Sequence, residues 1–121
     1  MKPLNCIIVD DDEMDRLVVV SYAKRFPQFN IVGIFDSAEK ALTFLDNNKI
    51  EVAFLDIEMP GASGIELRKK ALEIPVCVFV SSHTESAAET FELQTLDFIV
   101  KPFKFPRFEQ TIKRIEEFME V

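Results

Sequence analysis

Residues 52–61 read VAFLDIEMPG: four apolar residues, then Asp56, and a Pro-Gly pair that begins four positions later. The apolar residues do not alternate with polar ones, which is typical of a strand covered on both faces of its sheet. Residues 6–9 form a similar run, CIIV, and three aspartates follow it at once. Both segments therefore predict a buried strand that ends in a carboxylate.

The same pattern extends along the chain, where short runs rich in Val, Ile and Phe alternate with helical stripes. Strands are predicted at residues 4–9, 30–35, 52–55, 76–80 and 97–100. The clearest i, i+3, i+4, i+7 stripe is Ala38, Ala41, Leu42 and Leu45, preceded by Ser37 as a cap. A similar helical stripe follows Pro106 and consists of Phe108, Ile112, Ile115 and Met119. Further helices are predicted around 14–26, 65–72 and 84–91.

Five successive strand–helix units predict an α/β fold: a parallel five-stranded sheet with right-handed crossovers and helices on both faces. Sheets of this kind hold their sites at the carboxyl ends of the strands. The residues that follow each strand are therefore the candidates for function.

Composition limits the class of protein. The 121 residues fit one domain, 1–121, and the formal charge of -7 disfavours direct binding to nucleic acid. No apolar run is long enough to cross a membrane, and the aspartates at 10–12 exclude a signal-peptide core there, so a cytoplasmic location is expected. Cys6 and Cys77 lie inside apolar strands and are expected to be reduced and buried.

Carboxylate, hydroxyl and ammonium groups stand at four of the predicted strand ends. They are Asp10, Asp11 and Asp12 after the first strand, Asp56 after the third, Ser81 at the fourth and Lys101 before Pro102 at the fifth. Carboxylates that converge repel one another unless a cation lies among them, and hard oxygen ligands favour Mg²⁺. One carboxylate can then act as a nucleophile towards a phosphoryl group, while Lys101 and Ser81 contact its oxygens.

Each of these residues has a simpler explanation when it is taken alone. The aspartate triplet also suits a helix N-terminus, and Asp56 also suits a turn before Pro60 and Gly61. A lysine before proline is often a solvated loop residue, and Ser81 is also explained as a cap. Only the combination points to phosphoryl chemistry.

At these residues the chain resembles the receiver domains of two-component response regulators. IIVDDDEMDR at 7–16 is similar to their first strand and acidic pair. VAFLDIEMPGASGIEL at 52–67 is similar to their phosphorylation-site strand and loop, and LDFIVKPF at 96–103 to their lysine-proline turn. FLDIEMPG at 54–61 and TFELQTLDFIVKPF at 90–103 are most similar to receivers of LytTR-type regulators. The resemblance covers essentially the whole chain and implies a flavodoxin-like (βα)5 doubly wound sheet with strand order 2-1-3-4-5.

The resemblance also implies roles for single residues. Asp56 would be the phosphoacceptor, Lys101 would pair with the phosphoryl group, and Ser81 would follow that group when the domain switches. Mg²⁺ would be bound by Asp11 directly, by Asp10 mainly through water, by Asp56 and by the backbone carbonyl of Glu58. Asp12 is expected at a helix start, away from the metal.

Four further expectations concern the surroundings of the site. Phe98 takes the place of the family's switch aromatic and is expected to rotate inward from a more exposed rotamer, although a half-buried strand residue is an equal reading. Glu58 and His83 would flank the path of the hydrolytic water and tune the lifetime of the phosphoryl group, although His83 also suits a plain surface loop. Ser82 replaces a smaller alanine beside the site. The Lys101–Pro102 peptide bond is expected to be cis.

The implied function is a signalling switch that accepts a phosphoryl group from a sensor histidine kinase or a histidine phosphotransfer protein and is not a turnover enzyme. The surface formed by the fourth helix, the fifth strand and the fifth helix would change. This change would support phosphorylation-dependent homodimerisation and would control an output, expected to be transcription. DNA would be reached only through a C-terminal output domain absent from this chain, and no membrane is involved. A stand-alone receiver in a phosphorelay is an open alternative.

A rival from another class is a haloacid-dehalogenase-like phosphatase, because Asp10 and Asp12 fit an Asp-x-Asp spacing. That class leaves Asp56 and the Lys101–Pro102 turn without a purpose, and the chain lacks room for the cap such enzymes carry. A third reading, an interaction module with a decayed site, fits poorly because every position of the site holds a chemically competent side chain.

Overall fold

Five parallel strands form one sheet in the computed structural model, which describes residues 3–120. Along the sheet the order is β2-β1-β3-β4-β5, as the sequence predicted. The strands are β1 (Leu4–Val9), β2 (Phe29–Phe35), β3 (Val52–Leu55), β4 (Val76–Ser81) and β5 (Asp97–Val100). Each agrees with its predicted range to within one residue.

Five helices connect and follow the strands. They are α1 (Glu13–Ala23), α2 (Ala38–Leu45), α3 (Gly64–Lys69), α4 (Ala87–Phe91) and α5 (Phe105–Met119), and a 3₁₀ turn at Thr84–Ser86 precedes α4. Ser37 caps α2 as predicted, and Ser63 and Glu66 form a reciprocal capping box at α3. Pro106 lies in the first turn of α5.

The sheet has a hydrophobic core on each face because side chains of a strand alternate between the two faces. In β1, Cys6 and Ile8 join a cluster with residues of α1 and α5, whereas Ile7 and Val9 join a cluster with residues of α2 and α3. We call these the α1/α5 core and the α2/α3 core. Burial on both faces explains why the strands are apolar throughout.

Three helices are shorter than their sequence patterns. α1 ends at Ala23, ahead of Pro27, and a residue before proline disfavours the helical conformation. α3 ends at Lys69, and the carbonyls of Ala71 and Ile74 beyond it accept hydrogen bonds from Arg68. The predicted helix at 84–91 divides into the 3₁₀ turn and α4.

Within residues 3–120, no helix is both long and apolar enough to cross a membrane. Cys6 and Cys77 are free thiols in the two cores, as expected, with no measurable exposure.

Candidate phosphoryl-transfer site

Three carboxylates meet where β1 and β3 end side by side. Asp10 follows β1, Asp56 follows β3, and the Asp56 N–H donates to the Val9 carbonyl at 2.9 Å. One carboxylate oxygen from each of Asp10, Asp11 and Asp56 lies within 4.8 Å of the other two. Asp10 and Asp56 are buried and Asp11 is exposed, so the cluster opens to solvent on one side.

A lysine that follows the edge strand β5 lies against the cluster. The Nζ atom of Lys101 lies 2.8 Å from Asp10 Oδ2, 2.9 Å from Asp15 Oδ2 and 3.6 Å from Asp56 Oδ1. The Lys101 N–H donates to the Ser81 carbonyl at 3.0 Å, which fixes the start of the turn. The Lys101–Pro102 peptide bond is cis, as predicted.

Burial and neighbouring charge act on Asp56 together. Burial and the carboxylate of Asp10 raise the pKa of Asp56 to about 6, against the opposing effect of Lys101 and the Ile57 N–H. Burial would by itself lower the pKa of Lys101, but Asp10, Asp15 and Asp56 outweigh it and raise that pKa above its ordinary value. The site therefore combines a buried carboxylate of raised pKa with an ammonium whose pKa is also raised.

The donor set fits a hard divalent cation. Three carboxylates that approach this closely are stabilised by positive charge, and oxygen ligands with an open side are what Mg²⁺ binds in proteins. Asp10, Asp11 and Asp56 are the residues that could hold it.

Gly64 permits the loop after β3 to fold against the site. A Cβ atom built on Gly64 would lie 1.8 Å from the carbonyl oxygen of Asp56, so any side chain there would displace the aspartate. The Gly64 N–H donates to the Ile57 carbonyl at 2.8 Å. The start of α3 is thus locked to the residue after Asp56.

A family model described as the response regulator receiver domain matches residues 6–113. The chain belongs to this family. The predicted family is therefore confirmed, and the chain is a receiver domain of the two-component response regulators.

Curated relatives support the assignment. The receiver is 32% identical over 116 residues to the transcriptional regulatory protein YpdB of Escherichia coli K12, covering 93% of this chain and 48% of the relative. It is 33% identical over 117 residues to the sensory transduction protein LytT of Bacillus anthracis, covering 94% and 48%. The chain spans about half the length of these relatives. The LytT match agrees with the predicted similarity to LytTR-type receivers.

A solved structure supports the same assignment. The crystal structure of the response regulatory domain of protein mrkE from Klebsiella pneumoniae superposes with a TM-score of 0.90 at 30% identity, covering 98% of this chain and all of that one. The predicted flavodoxin-like fold is thus confirmed.

The receiver places most predicted site residues at one end of the sheet. Asp10, Asp11, Asp56 and Lys101 come together, and buried Ser81 ends β4 with its Oγ accepting the His83 N–H at 3.1 Å. Asp12 stands apart as the N-cap of α1, where it accepts the Asp15 N–H, as expected.

Phe98 differs from its prediction. It is only 8% exposed and packs in the α2/α3 core, so the more exposed starting rotamer is wrong for this structure. Its position in the middle of β5, opposite Phe79 of β4, directs the ring into that core. Ser82 is exposed.

His83 bridges two acidic side chains. Its Nε2 lies 2.8 Å from Glu58 Oε2 and its Nδ1 lies 3.0 Å from Glu85 Oε1. Both nitrogens can donate only when the ring is protonated. This bridge joins the loop after β3 to the loop after β4, which the simple surface-loop reading of His83 did not anticipate.

Sequence reasoning missed two residues that contact the site from α1. Asp15 binds Lys101, and Arg16 Nη1 donates to the Asp10 carbonyl at 2.8 Å. Neither follows a strand, so the rule about strand ends could not find them. Their only signal was their distance of about one helical turn from the aspartate triplet.

Proposed function

We propose that this receiver is a phosphorylation-activated switch in which Asp56 accepts the phosphoryl group. The proposal is carried by one observation: a buried carboxylate of raised pKa lies beside two further carboxylates and 3.6 Å from the ammonium of Lys101. The donor would be the phosphohistidine of a sensor histidine kinase or a histidine phosphotransfer protein.

In the proposed step, an Oδ atom of ionised Asp56 attacks phosphorus. A P–O bond forms as the P–N bond of phosphohistidine breaks, the imidazole leaves with the bonding electron pair, and an acyl phosphate remains on Asp56. Lys101 and the Ser81 hydroxyl would donate to the oxygens of the transferred group. The result is one modification per molecule, reversed by hydrolysis, without turnover of a free substrate.

Asp10, Asp11, Asp56 and the carbonyl of Glu58 would hold Mg²⁺, which supplies positive charge to phosphoryl oxygens in such transfers. Asp11 would contact the ion directly and Asp10 mainly through water. Asp11→Ala should therefore weaken Mg²⁺ binding more than Asp10→Ala, as measured by titration calorimetry.

Incubation with acetyl phosphate and Mg²⁺ tests the main proposal. Intact-mass measurement should show one added phosphoryl group on the wild type and none on Asp56→Asn, which keeps the shape of the side chain. Equal uptake by both proteins would show that another residue is modified. Continuous release of phosphate from a generic ester would instead favour the dehalogenase-like phosphatase.

Ser81 and Phe98 are the proposed switch residues. Ser81 would move towards the phosphoryl group and carry the His83 loop with it, because the two are joined by the hydrogen bond described above. Phe98 shares its core with Ala87 and Leu93, so it would register a shift of α4 through packing, without a change from an exposed rotamer. Phe91 and Val100 are exposed apolar residues on α4 and β5, which suits pairing of two receivers through the α4-β5-α5 face.

The size of the response follows from the interactions available. A shift from 1:99 to 99:1 needs roughly 5.5 kcal/mol of differential affinity, and charge-assisted hydrogen bonds supply about 1.5–3 kcal/mol each. We therefore expect a partial shift in this domain, completed by dimerisation or by an output domain. Ser81→Ala should retain phosphorylation of Asp56 and weaken beryllofluoride-induced changes in the Phe98 NMR signals and in self-association. An unchanged response in this variant would contradict the switch.

The bridge from Glu58 to His83 is proposed to tune the lifetime of the acyl phosphate. Because the bridge spans the loops beside Asp56, its loss should admit water more freely and shorten the half-life of the modification. An exposed ion pair is worth about 0.2–1 kcal/mol, so the change for His83→Ala should be at most about fivefold. Glu85→Gln, which leaves the Glu58 contact intact, is the matched control. An unchanged decay rate would return His83 to an ordinary loop role.

The function of the whole protein is a broader proposal. The named regulatory relatives are about twice as long as this chain, which supports a transcriptional output through a C-terminal domain outside residues 1–121. Any contact with DNA would belong to that domain. A stand-alone receiver in a phosphorelay is the alternative, and a cytoplasmic location is part of both versions.

A further inference from the structure

Asp15 brings a fourth carboxylate to the ammonium of Lys101. It lies in the first turn of α1, with its side chain 45% exposed, and its Oδ2 atom is 2.9 Å from Lys101 Nζ. Among the described residues, Lys101 is the only side chain that donates to it. This contact has no part in the proposed phosphoryl transfer described above.

Asp15 and Asp10 together take most of the donor capacity of Lys101. An ammonium has three N–H donors, and two of the three nearby carboxylates lie at hydrogen-bond distance, 2.8 Å and 2.9 Å away. The Oδ1 atom of Asp56, the proposed phosphoacceptor, lies farther from Lys101 Nζ, at 3.6 Å. One donor of Lys101 therefore remains for an oxygen carried on Asp56, and a second hydrogen bond to that group requires the release of Asp15 or Asp10.

The two carboxylates that hold Lys101 differ in their other contacts. Asp10 is buried, and its second oxygen accepts the Asp12 N–H at 2.9 Å. Asp15 is half exposed and depends on solvent and Lys101 alone, and it lines a surface cavity together with Lys101 and Ser82. Lys101 can therefore release Asp15 without leaving an unpaired carboxylate in a buried position, whereas release of Asp10 would leave one.

We propose that Asp15 is a positioning residue that competes with the oxygens carried on Asp56 for the ammonium of Lys101 and so weakens binding of the phosphoryl group. This inference rests on the proposed function. Two effects act in the same direction: Asp15 occupies a donor of Lys101, and its charge repels an incoming group that carries about -1.5 to -2 charges. The residue sets how readily the unmodified domain is activated.

Beryllofluoride titration at saturating Mg²⁺, followed by NMR, tests the competition. Asp15→Asn should bind beryllofluoride roughly three- to tenfold more tightly than the wild type, where tenfold corresponds to about 1.4 kcal/mol. Asp15→Glu, which keeps a carboxylate within reach of Lys101, should restore weaker binding. Glu13→Gln is the matched control because it removes the same charge from the same exposed helical turn without a contact to Lys101.

The Lys101 side-chain resonance provides a readout that does not require phosphoryl chemistry. Without beryllofluoride, it should shift in Asp15→Asn and stay unchanged in Glu13→Gln. Equal or weaker binding by Asp15→Asn, or an equal gain in Glu13→Gln, would overturn the competition while leaving the proposed function intact. Wild-type protein that binds no beryllofluoride, or Asp56→Asn that binds it equally, would overturn both.

Discussion

Asp56 shows how function and stability oppose each other at one residue. Its pKa is raised from 3.8 to about 6, so the folded protein holds the proton more tightly than the unfolded chain does. The stabilisation linked to this proton is present below the unfolded pKa and is lost as the pH rises through about 6. At neutral pH the ionised carboxylate therefore costs folding free energy.

Asp56→Asn should accordingly stabilise the domain in the presence of EDTA at pH 7.5. The gain in unfolding free energy should be about 1–3 kcal/mol, since each pKa unit corresponds to 1.36 kcal/mol. Urea denaturation at pH 7.5 and at pH 4 measures it, and the gain should shrink at the lower pH, where Asp56 is protonated in the folded state and partly protonated in the unfolded chain. A variant less stable than wild type at pH 7.5 would contradict this account of the site.

Arg68, a buried arginine of α3, connects the segment after α3 with the segment after α4. It is 1% exposed and donates to the backbone carbonyls of Ala71, Ile74, Leu93 and Gln94. These carbonyls lie beyond the ends of α3 and α4, where helices leave acceptors without intrahelical partners. Arg68 thus joins the helix that follows the Asp56 loop to the segment that leads into β5.

Arg68→Met, which keeps a long apolar side chain without donors, should lower the unfolding free energy by about 2–4 kcal/mol because it leaves buried carbonyls unsatisfied. Lys69→Ala, at the exposed neighbouring position of the same helix, should change it by no more than about 0.5 kcal/mol. Urea denaturation compares the two. Similar values for both variants would mean that the carbonyls find water or other donors.

The contact between β5 and α5 depends on Asp97. Arg107, Thr111 and Arg114 all donate to its buried carboxylate. Burial would by itself raise the pKa of Asp97, but hydrogen bonds from Arg107, Thr111 and the Phe98 N–H lower it below its ordinary value. The stabilisation that these hydrogen bonds give to ionised Asp97 is present above the pKa of the unfolded state. It is lost as the pH falls through the pKa of the folded state.

Asp97→Asn should therefore lower stability by about 1–3 kcal/mol at pH 7, and the difference from wild type should narrow below pH 4. Thermal unfolding between pH 3 and pH 7 checks both parts. Glu109→Gln, an exposed change on α5, should have nearly the same thermal stability as the wild type at every pH in this range. A difference that does not depend on pH would place the effect in packing rather than charge.

At the scale of the whole molecule, the sequence predicts what depends on local patterning. Continuous apolar runs located all five strands, and the residues after them placed Asp10, Asp56 and Lys101 at one edge of the sheet. Boundaries of α3 and α4 were less accurate, since short helices are held by tertiary contacts more than by propensity. Glu58 and His83 were each singled out, but not as a bonded pair.

The rest depends on contacts between elements far apart in sequence. Asp15 meets Lys101 across 86 positions, and Arg68 meets Leu93 across 25. A polar side chain on a helix has the same local pattern whether it faces solvent or a distant partner. Only the packing of α1 against the turn after β5, or of α3 against the end of α4, distinguishes the two.

Each face of the sheet contains one buried free thiol, and its reactivity can report how often that face opens. Cys6 lies in the α1/α5 core and Cys77 in the α2/α3 core, and burial raises the pKa of both, to about 12 for Cys77. An alkylating reagent can reach either sulfur only when the helices that cover that face of the sheet move away from it. The rate of alkylation therefore measures how often those helices open. Cys77 should react first, because the short helices α3 and α4 cover its face, and peptide mapping of a time course would show the order. Equal alkylation rates for Cys6 and Cys77 would mean that the helices on both faces open in a single event. The receiver would then have no separately mobile face through which to signal.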